Sequence, residues 1–144
     1  MEKRGSHWYG ESQADIRTEL ARYAELAGYP AERFADARCV CDGRLFALEL
    51  DEAAGVAVRS CTLCGVRHPM ADGAEFLPEA ELEGCACPCG AEAFELTIGA
   101  ALHADSSDVR WLYVGARCPA CDLTACYGDW KCEFTDVHAL LARA

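Results

Sequence analysis

Cysteine is the most reactive residue type in this chain, and there are eleven cysteines among its 144 residues. Eight of them stand in four close pairs. Scattered cysteines would fit the role of small buried hydrophobes, but tight pairs are typical of metal ligation, because disulfides are disfavoured wherever thiols are kept reduced. An odd total also leaves at least one cysteine outside any scheme of complete pairs. The four pairs are Cys39 and Cys41, Cys61 and Cys64, Cys87 and Cys89, and Cys118 and Cys121.

The cysteine pairs belong to an internal repeat. Five positions of the first copy recur in the second copy at one constant offset, the distance along the chain from Cys39 to Cys87. Each copy then runs through a hairpin to a C-x-x-C pair, and the extra length of the second copy falls in its hairpin turn, where insertions are tolerated best. The matched positions are Cys39, Cys41, Phe46, Leu48 and Leu50 in the first copy and Cys87, Cys89, Phe94, Leu96 and Ile98 in the second.

The order of turn, strand, strand and turn has a physical reason. A tetrahedral zinc ion needs four ligands, at about 2.3 Å when all are sulfur. A short turn points two sulfurs towards one centre, and an antiparallel hairpin brings a distant second turn beside the first. Metal ligation also stabilises small sheets directly. The sequence therefore predicts two structural zinc ions per chain, each held by four cysteines.

With these eight cysteines in the ligand places, the chain resembles the zinc-ribbon fold group over residues 38–66 and 86–128. The resemblance implies a zinc-stapled three-stranded sheet in each copy, but not one function, since ribbons serve many. The first turn of each copy departs from the commonest pattern, being C-x-C and not C-x-x-C. Paired turns of this kind also resemble rubredoxin, which binds iron, and this leaves iron as a minor alternative.

Three cysteines, Cys85, Cys126 and Cys132, have no counterpart in the repeat. Cys85 could replace Cys87 or Cys89 as a ligand, although the register of the repeat favours the latter two. We interpret the leftover cysteines as buried hydrophobes. The alternatives are a reactive thiol, or a third metal site that would need a histidine such as His68 or His103.

The remaining elements follow from periodicity and turn signals. Apolar residues at spacings of three and four predict a helix over 12–27 that ends at Gly28. A shorter helix is predicted at 31–37, a short acidic one within 75–84, and a last one over 135–143 with Thr135 as its N-cap. Alternation predicts two hairpins, with strands at 45–50, 56–60, 93–98 and 110–117.

Together these features predict a small, metal-stapled α+β protein in which two zinc-ribbon-like hairpin units pack as a pair under an N-terminal covering helix. The predicted organisation divides the chain into five parts. They are an N-terminal helical segment (1–37), a first ribbon (38–67), an acidic connector (68–84), a second ribbon (85–132) and a C-terminal helix (133–144).

An aromatic cluster surrounds the second pair of turns. It is a candidate interaction patch, because tryptophan and tyrosine dominate the binding energy of many interfaces, although such clusters are more often local core. Its members are Trp111, Tyr113, Tyr127 and Trp130.

Charge narrows the function classes. The formal net charge is −11, and two tetrathiolate zinc sites would lower it to about −15. Residues 68–86 contain five aspartates and glutamates and no lysine or arginine. Nucleic-acid affinity depends on neutralising phosphates with lysine and arginine. The acidity of this chain therefore argues against a nucleic-acid partner.

We therefore expect a non-enzymatic adaptor that binds another protein. The chain has no apolar run of membrane-spanning length and no signal-peptide core at its start, so we expect a cytoplasmic protein with no membrane partner. One alternative is a nucleic-acid-associated regulator that uses the ribbon aromatics and a positive face. A thiol enzyme using Cys126 or Cys132 is a weaker one. The arginines that could form the positive face are Arg38, Arg44, Arg59 and Arg67.

Overall fold

A computed structural model describes residues 1–144, apart from the side chains of residues 133 and 134. Within these described residues the chain forms ten strands and three α-helices. In chain order the strands are β1 (Glu2–Arg4), β2 (His7–Tyr9), β3 (Arg33–Asp36), β4 (Phe46–Asp51), β5 (Val56–Cys61), β6 (Arg67–Pro69), β7 (Glu83–Gly84), β8 (Glu95–Leu102), β9 (Asp108–Arg117) and β10 (Leu123–Asp136). The helices are α1 (Ala14–Ala27), α2 (Gly73–Phe76) and α3 (Val137–Leu141), and a 3₁₀ turn covers Leu77–Glu79. The predicted α+β class is therefore confirmed.

The strands form two antiparallel sheets. The larger has the order β1-β2-β10-β9-β8-β3, and the smaller has the order β6-β5-β4-β7. The two predicted hairpins are confirmed as β4–β5 and β8–β9, each paired along its length. Both were visible in the sequence because alternating strands close in the chain pair through a local turn.

The internal repeat extends to three strands in each copy, with the same register. Leu48 lies opposite Arg59 in the first copy, and their counterparts Leu96 and Ala116 lie opposite each other in the second. The third strands keep this correspondence, since Ser60 pairs with Arg67 in the first copy and Arg117 pairs with Thr124 in the second. We call β4-β5-β6 with its turns the first unit and β8-β9-β10 with its turns the second unit.

The two units meet at a pair of equivalent residues. The N–H of Phe46 donates to the carbonyl of Phe94 at 2.8 Å, and the N–H of Phe94 donates back to the carbonyl of Phe46 at 2.9 Å. A residue that exchanges hydrogen bonds with its own counterpart marks a two-fold relation, as in an isologous dimer interface. Both rings are fully buried.

The units also exchange strands. β3 precedes the turn of Cys39 but pairs with β8 of the second unit, and β7 precedes the turn of Cys87 but pairs with β4 of the first. The next hydrogen bond repeats the pattern: Ala37 donates to Leu96 and Cys85 donates to Leu48, both at 2.8 Å. Each unit is thus completed by a strand that leads into the other, so the two are interlocked.

The prediction of a helix at 31–37 is wrong, since residues Arg33–Asp36 form β3. The open edge of β8 offers this segment a full set of backbone partners, and tertiary pairing of this kind overrides local propensity. The C-terminal helix is shorter than predicted, and its N-cap is Asp136 and not Thr135. The Asp136 carboxylate accepts from the N–H groups of His138 and Ala139.

The predicted N-terminal helix is confirmed as α1, which covers one face of the larger sheet. Its stripe of Ile16, Leu20 and Ala24 is fully buried. The helix ends at Gly28, whose left-handed conformation (φ 90°) closes the last turn. Among the described residues, no helix has the length and apolarity needed to cross a membrane.

Gly115 on β9 lets α1 approach the sheet. A Cβ atom there would lie 2.5 Å from Cγ2 of Ile16 and 3.0 Å from atoms of Leu20. We expect Gly115→Ala to lower the free energy of unfolding by about 1–3 kcal/mol, because the helix must move away from the sheet. Gly84→Ala is the matched control in β7, since a Cβ there meets no atom within 4 Å. Equal denaturation midpoints for the two variants would contradict this account of the packing.

Candidate metal centres

The first candidate centre lies between the turn that precedes β4 and the turn that follows β5. Its four sulfurs all lie within 4.8 Å of one another. The Cys39 and Cys64 sulfurs are 3.4 Å apart, and those of Cys41 and Cys61 are 3.6 Å apart. Cys39 and Cys61 are buried while the other two are exposed, so the centre lies at the end of the hairpin.

The second candidate centre repeats this arrangement at the end of β8 and β9. Cys87, Cys89, Cys118 and Cys121 place their sulfurs within 4.8 Å of one another. The Cys87 and Cys121 sulfurs are 3.5 Å apart, and those of Cys89 and Cys118 are 3.7 Å apart. The sulfur of Cys85 is not part of this cluster, so the grouping agrees with the register of the repeat.

The sulfur separations fit a tetrahedral metal ion. With metal–sulfur bonds of about 2.3 Å, the edges of a regular tetrahedron measure about 3.8 Å. The two separations given for each cluster, from 3.4 Å to 3.7 Å, are close to that edge and far from the roughly 2.05 Å of a disulfide, and all others lie within 4.8 Å. Four thiol donors form a soft ligand set, which suits zinc or iron and not magnesium or calcium. Among the described residues, two groups could therefore hold one metal ion each.

The first turns of the two centres have one backbone conformation. The N–H of Cys39 donates to the carbonyl of Gly43 at 2.9 Å, and that of Cys87 donates to the carbonyl of Ala91 at 2.8 Å. Each turn contains one residue in the left-handed region, Asp42 (φ 69°) in the first and Gly90 (φ 96°) in the second. Aspartate tolerates this region better than most residues, so a shared geometry survives a different sequence.

The second turns also match. The N–H of Gly65 donates to the carbonyl of Cys61 at 2.9 Å, and the N–H of Asp122 donates to that of Cys118 at 2.7 Å. Both Gly65 (φ 77°) and Asp122 (φ 70°) are left-handed. All four turns therefore aim their sulfurs by short backbone loops and not by long flexible side chains.

Backbone N–H groups also favour thiolates at both centres. Hydrogen bonds from the backbone N–H groups of Cys64 and Leu63 lower the pKa of the Cys61 thiol to about 6. The N–H of Ala91 does the same for Cys89, whose pKa falls to about 7. Burial acts in the opposite direction on Cys87, whose pKa rises to about 12. Each centre thus contains a thiol that ionises near neutral pH, and the thiolate is the form that binds metal.

Arginines near the ligands have different roles from one another. Arg59 is buried beside the first centre, where its pKa is lowered by burial and held up by the charges of Cys39 and Cys61. Its guanidinium donates to the carbonyls of two residues distant in sequence, Arg38 and Ala144. Arg59 thus places a positive charge beside two ligand thiols and also joins two distant segments through their backbone.

Arg117 is the residue after Ala116, which is the counterpart of Arg59 in the second unit, and it is also buried. Its guanidinium binds the carboxylates of Glu95 and Asp122 and donates to the carbonyl of Gly10. This arginine therefore joins the second unit to the N-terminal segment, and its charge is neutralised by carboxylates.

The three leftover cysteines lie outside both clusters. Cys132 is almost fully buried and Cys126 is largely covered, and burial raises the pKa of each thiol to about 12. Burial also raises the pKa of Cys85. The charged groups that act on these thiols are carboxylates, which raise their pKa values further. Such surroundings disfavour the thiolate and fit the interpretation of these cysteines as packing residues.

The candidate interaction patch is split between two hydrophobic clusters. Tyr113 is fully buried under α1 and Trp130 is 7 % exposed, so neither can contribute to an exposed patch. Trp111 is half-buried beside Tyr113, while Tyr127 packs against Phe94 in the main core. Alternation along the strands separates these side chains onto different faces of the sheet.

Comparisons of this chain with protein-family models, with curated proteins and with solved structures find no match.

Proposed function

We propose that this chain is a zinc protein in which both Cys₄ centres are structural and each holds a ribbon-like unit together. The observation that carries the proposal is the pair of closed sulfur clusters, with separations close to the edge of a zinc tetrathiolate. Structural zinc sites use four protein ligands, whereas catalytic ones keep a position for water. The four cysteines at each centre match the ligand set of a structural zinc site.

The zinc-ribbon assignment is supported by the shape of each unit. Both units contain three antiparallel strands, and their four cysteines lie on the turn before the first strand and the turn after the second. Zinc is favoured over iron because the first turn of each unit is C-x-C, unlike the turns of rubredoxin.

A non-enzymatic role fits the surroundings of the thiols that do not join the clusters. Cys126 and Cys132 have pKa values raised to about 12 by burial, which keeps them protonated and poorly nucleophilic at neutral pH. We therefore propose that the chain acts by binding, in the reducing cytoplasm where zinc thiolates persist.

A protein partner is favoured over nucleic acid by charge. The net charge is −11 before the thiolates are counted. Of the four arginines that could form a positive face, Arg59 is 6 % exposed and uses its guanidinium on backbone carbonyls. Only three arginines are left for phosphate contacts on that side, and nucleic-acid affinity falls steeply as such contacts are lost.

Elemental analysis of the protein purified without added metal should give close to two zinc ions per chain, because each centre binds one ion with four thiolates. Cys132→Ala is the matched control and should retain both ions, since Cys132 lies outside the clusters. A content of one zinc ion, or mainly iron, would contradict the proposal.

A further inference from the structure

The first metal centre exposes large aliphatic side chains on its turns. Val40, between two ligands, is 93 % exposed, Leu63 is 78 % exposed and Val66 is 45 % exposed. Leu63 lies over the opposite turn, since its Cδ1 would be 3.5 Å from a Cβ at Gly43. Water contact with three such residues is unfavourable, and clustered exposed aliphatics mark interaction sites.

The second unit shows what covers this surface. The counterparts of Val40 and Leu63 are the smaller Pro88 and Ala120. The counterpart of Val66 is Leu123, which is 5 % exposed because β2 lies beside it with a tyrosine directly opposite. The same position is therefore covered by an added strand in one unit and open in the other.

Strand β2 attaches to the second unit through backbone groups. Gly10 donates to the carbonyl of Asp122 at 2.8 Å, and Trp8 pairs with Thr124 in the antiparallel ladder. The residues of the first unit that correspond to Asp122 and Thr124 are Gly65 and Arg67. These are the positions at which an added strand would find its partners.

The first unit offers those groups at an open edge. β6 is the last strand of its sheet in the described chain. The carbonyl of Val66 accepts from Cys61 and the N–H of Met70 donates to Ala57, so alternation points the N–H and carbonyl of Arg67 away from β5.

Pro69 does not block this mode of attachment. It lacks an N–H, but its counterpart in the second unit, Cys126, lies beyond the pairs that β2 makes with β10. An added strand of the same length as β2 would therefore need no hydrogen bond from the proline.

Charge around the open edge selects the occupant. Arg38 and Arg44 flank the first turn, are exposed, and have no ion pair with any side chain that the structure describes. Arg67 is exposed and pairs with Glu49 at 2.8 Å. A segment that carries carboxylates would be attracted to these arginines, although the net charge of the molecule is −11.

We propose that β6 and the aliphatic residues Val40, Leu63 and Val66 bind an extended acidic segment of a partner protein, which adds to the sheet as an antiparallel strand. This rests on the proposed function and specifies its partner. Main-chain hydrogen bonds provide affinity and side chains provide selectivity, as in other strand-addition complexes.

The second unit indicates the order of residues in the segment. There Trp8, Tyr9 and Gly10 lie beside Thr124, Leu123 and Asp122, in that order. By analogy, the segment places a carboxylate opposite Arg67, an aromatic residue opposite Val66 and a small residue beside Gly65.

The test uses the zinc-loaded, ¹⁵N-labelled full chain and a synthetic decapeptide with a Glu-Tyr-Gly core flanked by aspartate and glutamate. The Arg67 and Val66 amide signals should shift on titration to about 1 mM peptide, the weak end of specific binding. The Arg67 amide should also gain protection from hydrogen exchange. Arg67→Pro removes the outward N–H and should weaken binding at least about tenfold, whereas Arg67→Ala, which keeps it, should weaken binding only about threefold.

Equal affinities for Arg67→Pro and Arg67→Ala, or no shift up to about 1 mM peptide, would overturn strand addition while leaving a two-zinc protein intact. Val66→Ser provides a second variant that spares the backbone and should also weaken the complex.

Tighter binding of a single-stranded RNA of mixed sequence than of the peptide would replace the inference with a nucleic-acid surface. A dimer that Arg67→Pro dissociates would assign the edge to a second copy. A lack of zinc would defeat the proposed function itself.

Discussion

Replacing Cys39 with serine is expected to unfold both units together. The change removes one of four thiolates from the first centre, and structural zinc contributes on the order of 10 kcal/mol in small zinc domains, comparable with the stability of a whole domain. Unfolding of the first unit should spread to the second, because β3 and β7 are exchanged between the units. The backbones of Phe46 and Phe94 are also joined by two hydrogen bonds. Circular dichroism should show one lowered transition, and zinc content should fall below one ion per chain.

The control for this variant is Cys132→Ala, which removes a buried thiol from the core without touching a cluster. It should cost about 1–2 kcal/mol, the usual effect of a small core truncation, and keep both zinc ions. A Cys39→Ser protein that keeps one zinc ion and a folded second unit would show that the interlocked strands do not couple the two centres.

Arg117→Met is expected to lower the free energy of unfolding strongly. Arg117 is 8 % exposed, and its guanidinium binds the carboxylates of Glu95 and Asp122 and the carbonyl of Gly10. Methionine fills a similar volume but leaves the largely buried Glu95 carboxylate without this partner. Breaking a buried pair from one side costs about 3–5 kcal/mol. Urea denaturation of the zinc-loaded protein measures this loss.

Arg17→Met is the matched control for that experiment. Arg17 pairs with Asp36 at 3.3 Å, but its side chain is 45 % exposed. An exposed pair contributes about 0–1 kcal/mol, so the denaturation midpoint should move little. If both variants lost the same stability, burial of the Arg117 network would not be the cause.

The parts of this protein that depend on local spacing could be predicted from the sequence. Cysteines separated by one or two positions must lie on one turn, and alternating strands joined by a short turn must pair, so the two hairpins and the grouping of eight cysteines were accessible. The register of the repeat also separated Cys87 and Cys89 from Cys85, because equivalent positions in a repeat have equivalent surroundings. The helix α1 was predictable from its apolar stripe and from Gly28.

How these parts combine depends on contacts between distant segments, which the sequence pattern does not record. The pattern of 31–37 predicts a helix, yet Arg33–Asp36 form β3 because the edge of β8, far along the chain, satisfies their backbone groups. The strand β2 was missed for a similar reason, since it pairs with β10 near the opposite end of the chain. Exposure also depends on which surfaces other elements cover, so Tyr113 on β9 lies in the core under α1, while Val40 on an uncovered turn lies in solvent. Local sequence reflects short-range preferences, whereas long-range pairing depends on which edges remain open once the sheets have formed.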